Sequence, residues 1–186
     1  MQPVTIVGIC WSIFIAVWFI SALFAKRTIA RTTGPWIFRI IVIIAVLAII
    51  GHGGGAALDR TLWEPWASPA IGWLGAVLCV LGIALAFWAR FYLGRNWGMA
   101  GSVKDNPELV TGGPYRFIRH PIYTGIILAM AGSALTAGLW WAVVLVVAGV
   151  YFIMSARKEE ALMAGTFPAE YSAYKARTKM LVPFIY

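Results

Sequence analysis

The segment ELVTGGPYRFIRHPIY, residues 108–123, is a polar, basic, glycine-containing loop that runs directly into an apolar stretch. His120 precedes Pro121, and a residue before proline is pushed towards extended backbone geometry. Proline suits the first turn of a helix, where its missing N–H costs nothing. The loop therefore delivers Arg119, His120 and Tyr123 to a helix N-terminus, where free N–H groups attract anions. A membrane-border loop with arginines facing lipid phosphates is the alternative interpretation.

The composition is that of an integral membrane protein. Of the 186 residues, 61% are hydrophobic and 12% are charged, whereas soluble domains are about half apolar and a quarter charged. The net charge of +8 resides on basic residues that flank apolar runs, which fits membrane orientation better than nucleic-acid binding. We expect one domain over residues 1–186, with three spans in 1–92 and the cofactor-binding and catalytic region in 93–186.

Apolar runs predict an all-α polytopic fold with five transmembrane helices. Runs at residues 4–25, 36–50 and 69–88 supply three spans. The run at residues 121–151 is too long for one span, so we predict a helical hairpin that turns near residues 137–139. The run lengths exclude a porin-like barrel, whose strands would alternate in hydropathy.

Basic residues predict the orientation in the membrane. Lys26, Arg27 and Arg31 follow the first run without an intervening acid, and the loop at residues 90–120 is also predominantly basic. The positive-inside rule then places the N-terminus outside and the C-terminus in the cytoplasm. The compact size and the lack of an organelle signal suggest a prokaryotic inner membrane.

Two polar segments on the predicted cytoplasmic side, residues 94–123 and 157–174, are candidates for a binding site. They bracket the hairpin, so we expect the tail to cover the loop and close a pocket at the membrane border. Glu159 and Glu160 lie about 100° apart on a helix, so only one of them should face that pocket. A carboxylate opposite a basic loop suits a zwitterion with an amino acid moiety. An Arg157–Glu160 surface ion pair is the alternative for these acids.

Metal and hydrolase chemistry have no support in the sequence. With two histidines a multi-histidine metal site is excluded, and the two cysteines lack ligand spacing. No nucleophile-elbow or zinc-protease motif occurs. We therefore expect no metal.

Several motifs, taken in order, resemble the isoprenylcysteine carboxyl methyltransferase family and the related membrane-integral phospholipid methyltransferases. The resemblance spans about residues 93–174 and rests on Gly94-x-Asn96-Trp97, Leu109-Val110, Gly113, Tyr115, Arg119-His120-Pro121-x-Tyr123, Glu159-Glu160, Phe167 and Glu170-Tyr171-x-x-Tyr174. The first two spans match only as hydrophobic segments.

The resemblance implies S-adenosyl-L-methionine as methyl donor and a lipophilic or amphipathic acceptor carrying a carboxylate, thiol or amine. Carried over by position, the donor contacts fall on Glu108, Leu109, Val110, Tyr115, His120, Pro121, Ile122, Tyr123 and, in the tail, Glu159. The family's acceptor-side arginine, four residues before that glutamate, is replaced here by Ser155. Arg157 is the candidate substitute, although it lies about 200° around a continuous helix from that position.

Two other functions remain open from the sequence. A membrane reductase of the sterol-reductase type would also place His and Tyr at a helix start and would use basic loop residues to bind the 2′-phosphate of NADPH. A non-catalytic membrane scaffold would explain the missing arginine. The Glu159-Glu160 pair followed by the Glu-Tyr motif favours the methyltransferase.

Overall fold

The computed structural model describes residues 1–26, 28–31, 68–98, 102–183 and 185. Five helices account for most of this part of the chain: α1 Pro3–Ala22, α2 Pro69–Leu93, α3 Pro121–Ala137, α4 Leu139–Thr166 and α5 Pro168–Arg177. Short 3-10 turns at Gly94–Asn96 and Gly113–Arg116 shape the loop between α2 and α3.

The helical, polytopic architecture expected from the sequence is confirmed. In the described ranges, α1, α2 and α4 are long and apolar enough to cross a membrane, and α3 is a shorter apolar helix. The predicted span at residues 36–50 lies outside the described residues, so the fifth span stays a prediction. The predicted hairpin is confirmed: α3 and α4 are joined at Gly138, whose φ of +95° favours glycine.

Two short strands were not expected from the sequence. Strand β1, Thr28–Arg31, pairs antiparallel with β2, Ser102–Lys104. The pairing joins the segment after α1 to the loop after α2, so the two connections lie together at the same end of the helices.

Glycines bring α2 and α3 into close contact. Gly75 and Gly82 on α2 face Gly132 and Gly125 on α3, in antiparallel order. A Cβ atom placed on Gly125 would lie 2.6 Å from the carbonyl oxygen of Gly82. Lipid tails are as apolar as the helices, so the hydrophobic effect does not drive helices together inside a membrane. Small residues let the two backbones approach closely, and the dispersion contacts that result stabilise the helix pair.

Helix α1 packs on this pair through one aromatic face. Trp11, Phe14 and Trp18 recur at helical spacing, and the indole of Trp11 donates a 2.9 Å hydrogen bond to Ser133 Oγ on α3. The ring of Phe14 stacks on Phe87 of α2 at a centroid distance of 5.9 Å. These contacts hold the C-terminal half of α1 beside the loop ends.

The C-terminal tail returns to the loop before α3, as predicted. Ile118 forms a parallel bridge with Lys179. The backbone N–H groups of Arg119 and His120 donate to the carbonyls of Lys179 and Met180 at 2.8 and 3.1 Å. These hydrogen bonds fix the backbone at Arg119 and His120. The tail residues that form them, Lys179 and Met180, lie beyond the segment 157–174 that the sequence analysis predicted to cover the loop.

Candidate functional site

A cavity of about 590 Å³ lies where the polar ends of the helices meet. Its walls come from the C-terminal half of α1, the loop between α2 and α3, the first turns of α3, the C-terminal half of α4, and α5. The volume is within the 300–1,000 Å³ typical of cofactor and small-molecule sites.

Most of the residues predicted to bind the donor line this cavity. They are Glu108, Leu109, Val110, Tyr115, His120, Ile122, Tyr123 and Glu159. Pro121 is fully buried at the start of α3 and is not part of the cavity wall. Arg157 is exposed on α4 and also lies outside the wall.

Glu159 presents the acidic group of the cavity. The hydroxyl of Tyr123 donates a 2.6 Å hydrogen bond to Glu159 Oε1, and Glu159 Oε2 lies 3.5 Å from His120 Nδ1. The imidazole of His120 stacks parallel to the ring of Tyr123 at 5.5 Å. One glutamate on α4 is therefore oriented by two side chains from the beginning of α3.

The neighbouring Glu160 points away from the cavity into an ion-pair cluster. Its Oε1 accepts a 2.7 Å hydrogen bond from Arg119 Nε, and both side chains are 8% exposed. Its Oε2 lies 3.0 Å from Lys175 Nζ on α5. Arg119 also donates to the carbonyl of Thr178. Adjacent helix positions thus serve different faces, which matches the expectation that only one glutamate faces the pocket.

His120 lies between the two carboxylates. Its Nε2 is buried and 3.7 Å from Glu160 Oε1, beyond hydrogen-bonding distance. Burial by itself lowers the pKa of His120, but the carboxylates of Glu159 and Glu160 outweigh burial and raise the pKa above its ordinary value. The imidazole therefore retains its proton to a higher pH than a free histidine does.

The carboxylate of Glu108 binds Lys26 and Asn96, and so joins the loop before α3 to the segment after α1 and to the turn after α2. Lys26 Nζ donates to Glu108 Oε1 at 2.7 Å and to the carbonyl of Asn106 at 3.0 Å, and Asn96 Nδ2 donates to Glu108 Oε2 at 3.3 Å. The hydrogen bonds from Lys26 and Asn96 lower the pKa of Glu108. These hydrogen bonds between Lys26, Asn96 and Glu108, called the Glu108 clasp below, hold residues 107–110 close to the end of α1.

Two tyrosines of α5 extend the wall and tie it to the loop. Tyr171 and Tyr174 both line the cavity. The hydroxyl of Tyr174 donates a 2.7 Å hydrogen bond to the carbonyl of Tyr115. Burial raises the pKa of Tyr174 to about 12, so the phenol remains a proton donor at neutral pH.

Sequence reasoning missed the contribution of α1. Phe14, Trp18, Phe19 and Ala22 line the cavity, and the ring of Trp18 packs edge-on against Trp97 at 5.3 Å. The spacing of Trp11, Phe14 and Trp18 was the available signal, but a span with apolar residues on every face does not show which face packs inward.

The contribution of the middle of α4 to the cavity wall was missed for a similar reason. Tyr151 and Phe152 on α4 line the cavity, and Phe152 stacks on Tyr123 at 4.8 Å. The guanidinium of Arg90, which is buried on α2, lies over the ring of Trp97 at 4.6 Å from the ring centroid. In the sequence, Tyr151 and Phe152 look like ordinary members of a long apolar run.

The described residues contain no group of three or more His, Cys, Asp or Glu side chains that could hold a metal ion. The cavity wall instead combines polar side chains, among them His120 and Glu159, with many aromatic side chains. Such a site suits an organic ligand with both charged and flat apolar parts.

Fold and site together define a polytopic helical membrane protein with a cofactor-sized cavity at the polar ends of its helices. The chain belongs to the phospholipid methyltransferase family, whose sequence model matches residues 70–170. The resemblance to isoprenylcysteine carboxyl methyltransferases noted from the motifs is confirmed.

Individual relatives carry different names. The cobalt-zinc-cadmium resistance protein CzcN of Cupriavidus metallidurans is 32% identical over 155 residues, which cover 81% of this chain and 62% of CzcN. A probable protein-S-isoprenylcysteine O-methyltransferase of Oryza sativa is 26% identical over 179 residues, covering 89% of this chain and 87% of the relative. The chain spans about three fifths of the length of the metal-resistance relatives that it matches.

A solved structure shows the same fold. The eukaryotic intramembrane Ras methyltransferase, an isoprenylcysteine carboxyl methyltransferase, superposes with a TM-score of 0.56 at 20% sequence identity. The superposition covers 83% of this chain and 55% of that structure. At this identity the likeness establishes the membrane fold and leaves the substrate open.

Proposed function

We propose that this protein is an S-adenosyl-L-methionine-dependent methyltransferase that acts on a lipophilic or amphipathic acceptor at the cytoplasmic border of the membrane. The observation that carries the proposal is the placement of Glu159 in a cavity that also receives the first turn of α3 and the loop at residues 108–110. These are the positions that the family resemblance assigns to the donor, and membership of a methyltransferase family supports the same conclusion.

The cavity offers a partner for each part of the donor. The carboxylate of Glu159 suits the donor's ammonium group. The beginning of α3, at Ile122 and Tyr123, suits its carboxylate because N–H groups in the first turn of a helix lack intrahelical partners. Leu109 and Val110 supply an apolar surface for the flat adenine ring. The donor supplies an electrophilic methyl group when bound.

The protein's own contribution to catalysis is alignment and exclusion of water. In-line methyl transfer needs the acceptor atom held opposite the leaving sulfur, and positioning of this kind supplies several kcal/mol in well-oriented reactions. The aromatic walls from α1 and α4 keep the cavity apolar beside the reacting atoms. An amphipathic acceptor would enter from the surrounding membrane lipids.

We also propose a single domain over residues 1–186, with the N-terminus outside and the C-terminus in the cytoplasm of a prokaryotic inner membrane. The cavity wall also includes Phe14 and Trp18 of α1, so we extend the proposed site beyond residues 93–186. Residues 1–92 therefore contribute to the proposed site as well as to the membrane spans.

Binding of labelled S-adenosylmethionine to the purified full chain in detergent tests this proposal. We expect Glu159→Gln and His120→Gln each to weaken donor binding by about tenfold or more, the equivalent of about 1.4 kcal/mol. Glu170→Gln, at an exposed position on α5 outside the cavity wall, is the matched control and should bind like the unaltered chain. Unchanged affinity in both site variants would defeat the assignment.

The same assay distinguishes the alternative functions. A nicotinamide-dependent reductase would bind NADPH and not the labelled donor. A non-catalytic scaffold would bind the donor without transferring its methyl group to any fraction of a lipid or thiol extract.

A further inference from the structure

The tail that follows α5 is attached to the beginning of α3 through three successive carbonyl groups. The carbonyls of Lys179 and Met180 accept hydrogen bonds from the backbone N–H groups of residues 119–120. The carbonyl of Leu181 accepts a 2.7 Å hydrogen bond from the hydroxyl of Thr124, in the first turn of α3. The position of the tail along α3 is therefore fixed.

The length of α3 places its first turn at the border of the membrane. Helix α3 has 17 residues, so it is about 25 Å long. The hydrocarbon core of a bilayer is about 30 Å thick, so a crossing by α3 uses the whole helix. Leu181 is bonded to the first turn and belongs to a buried cluster against which Ile127 of α3 packs. The residues that follow Leu181 therefore lie at the level of the membrane border.

The tail exposes apolar side chains at this level. Val182 is 42% exposed and Ile185 is 77% exposed. The N–H of Ile185 donates to the carbonyl of Val182 at 3.2 Å, which closes a turn that also exposes Pro183. On the loop beside the tail, Phe117 is 48% exposed. Moving these apolar side chains from water into lipid would be favourable, because each of them would lose contact with water.

Two basic side chains accompany the exposed apolar ones. Lys179 precedes the turn, and the guanidinium of Arg116 lies 4.8 Å from the ring centroid of Phe117. Both cations are exposed, and neither forms an ion pair with a carboxylate of the described residues, whereas Arg119 and Lys175 both pair with a glutamate. Apolar side chains interleaved with basic ones are typical of surfaces that lie among acidic lipid headgroups.

We propose that the surface formed by Arg116, Phe117, Lys179, Val182 and Ile185, called the loop–tail surface below, binds acidic phospholipids of the surrounding membrane. The apolar side chains enter the boundary between headgroups and acyl chains, and the two cations bind lipid phosphates. The level of the surface along α3 favours lipid over a soluble protein as the partner. The two cations favour an acidic lipid over a neutral one.

Lipid bound at the loop–tail surface would also support the cavity. It stabilises the tail whose carbonyls hold residues 119–120, and His120 lines the cavity. Lipid and methyl donor then favour the same arrangement of the chain, so each raises the affinity for the other. This coupling rests on the proposed methyltransferase function, whereas the lipid contact itself does not.

Thiol labelling in lipid nanodiscs that hold one chain each tests the lipid contact. Ile185→Cys should react with a water-soluble maleimide at least about tenfold more slowly than Ser172→Cys, because insertion at the lipid boundary excludes the reagent. Ser172 is exposed on the polar helix α5 and lies outside the cavity wall. The unaltered chain measures any reaction of Cys10 and Cys79.

Equal labelling rates for the two variants would mean that water reaches the tail, and would overturn the proposal. Slow labelling of Ile185→Cys that occurs only in discs holding two chains would also overturn it, because a second copy would then be the partner.

Nanodiscs of different lipid charge test the coupling to the cavity. The probe is labelled S-adenosylhomocysteine, the demethylated donor, whose net charge of zero prevents an acidic surface from concentrating it. At low salt we expect it to bind about fivefold more tightly in discs containing phosphatidylglycerol than in discs of phosphatidylcholine alone, the equivalent of about 1 kcal/mol. High salt should reduce this difference.

Lys179→Gln separates the proposed lipid contact from a purely structural role. The variant should lose most of the gain in the acidic discs and match the unaltered chain in the neutral discs, because only its charge is removed. A structural defect would weaken binding in both kinds of disc. Equal affinity of the unaltered chain in both kinds of disc would overturn the coupling to acidic lipid. Absence of binding in both would overturn the proposed function, and the labelling rates would then decide the lipid contact by themselves.

Discussion

Replacing Glu160 with glutamine should loosen the C-terminal tail from the loop before α3. Glu160 links three segments, because it accepts from Arg119 on the loop at 2.7 Å, lies 3.0 Å from Lys175 on α5, and is itself part of α4. The glutamine keeps the size of the side chain and removes its charge. Arg119 is then a buried cation whose acceptors are neutral.

The structure allows the size of this effect to be worked out. The Arg119 and Glu160 side chains are each 8% exposed, and breaking a buried pair by removing one partner costs about 3–5 kcal/mol. Lys175 is 55% exposed, so its share is at most about 1 kcal/mol. For a chain of this length, about 3 kcal/mol corresponds to a fall in Tm of about 6–12 °C.

Thermal unfolding in detergent measures the fall, and hydrogen exchange at residues 178–181 locates it. We expect exchange there to rise in Glu160→Gln while the α2–α3 contact stays protected. Donor affinity at low temperature should fall less than in Glu159→Gln, because Glu159 is the carboxylate that faces the cavity. An unchanged Tm together with unchanged exchange at the tail would refute the argument that this buried pair holds the tail in place.

Three further outcomes are expected. Gly125→Ala should destabilise the protein by about 1–3 kcal/mol, because its Cβ would meet the Gly82 carbonyl oxygen at 2.6 Å; Gly149→Ala, with open space around it, is the control in the same unfolding assay. The raised pKa of His120 means that its stabilising charge is fully present below about pH 6.5 and is lost as pH rises through the raised pKa. Tm should therefore fall as pH rises through that range, and the Tm of His120→Gln should depend less on pH. Glu108→Gln should weaken donor binding a few-fold and speed proteolysis within residues 102–110, since its clasp on the loop is lost; unaltered cleavage would argue against the clasp.

The sequence by itself determined the local features of this protein. Run lengths set the spans because a helix needs about 20 apolar residues to cross a bilayer. Gly138 marked the turn of the hairpin because glycine tolerates a positive φ. The adjacent Glu159 and Glu160 had to diverge because neighbouring residues on a helix lie about 100° apart.

Only the tertiary structure decided which distant residues share the cavity. The aromatic face of α1 could not be singled out, because in a membrane both the buried and the lipid-facing sides of a helix are apolar. The long-range partners of Glu160 could not be read from the sequence either. The alternative considered there paired Glu160 with Arg157, one turn away, whereas the structure brings Arg119 and Lys175 to it from other segments. Such ion pairs depend on how the chain folds back on itself, and the spacing of charged residues along one helix cannot predict which distant residues will meet.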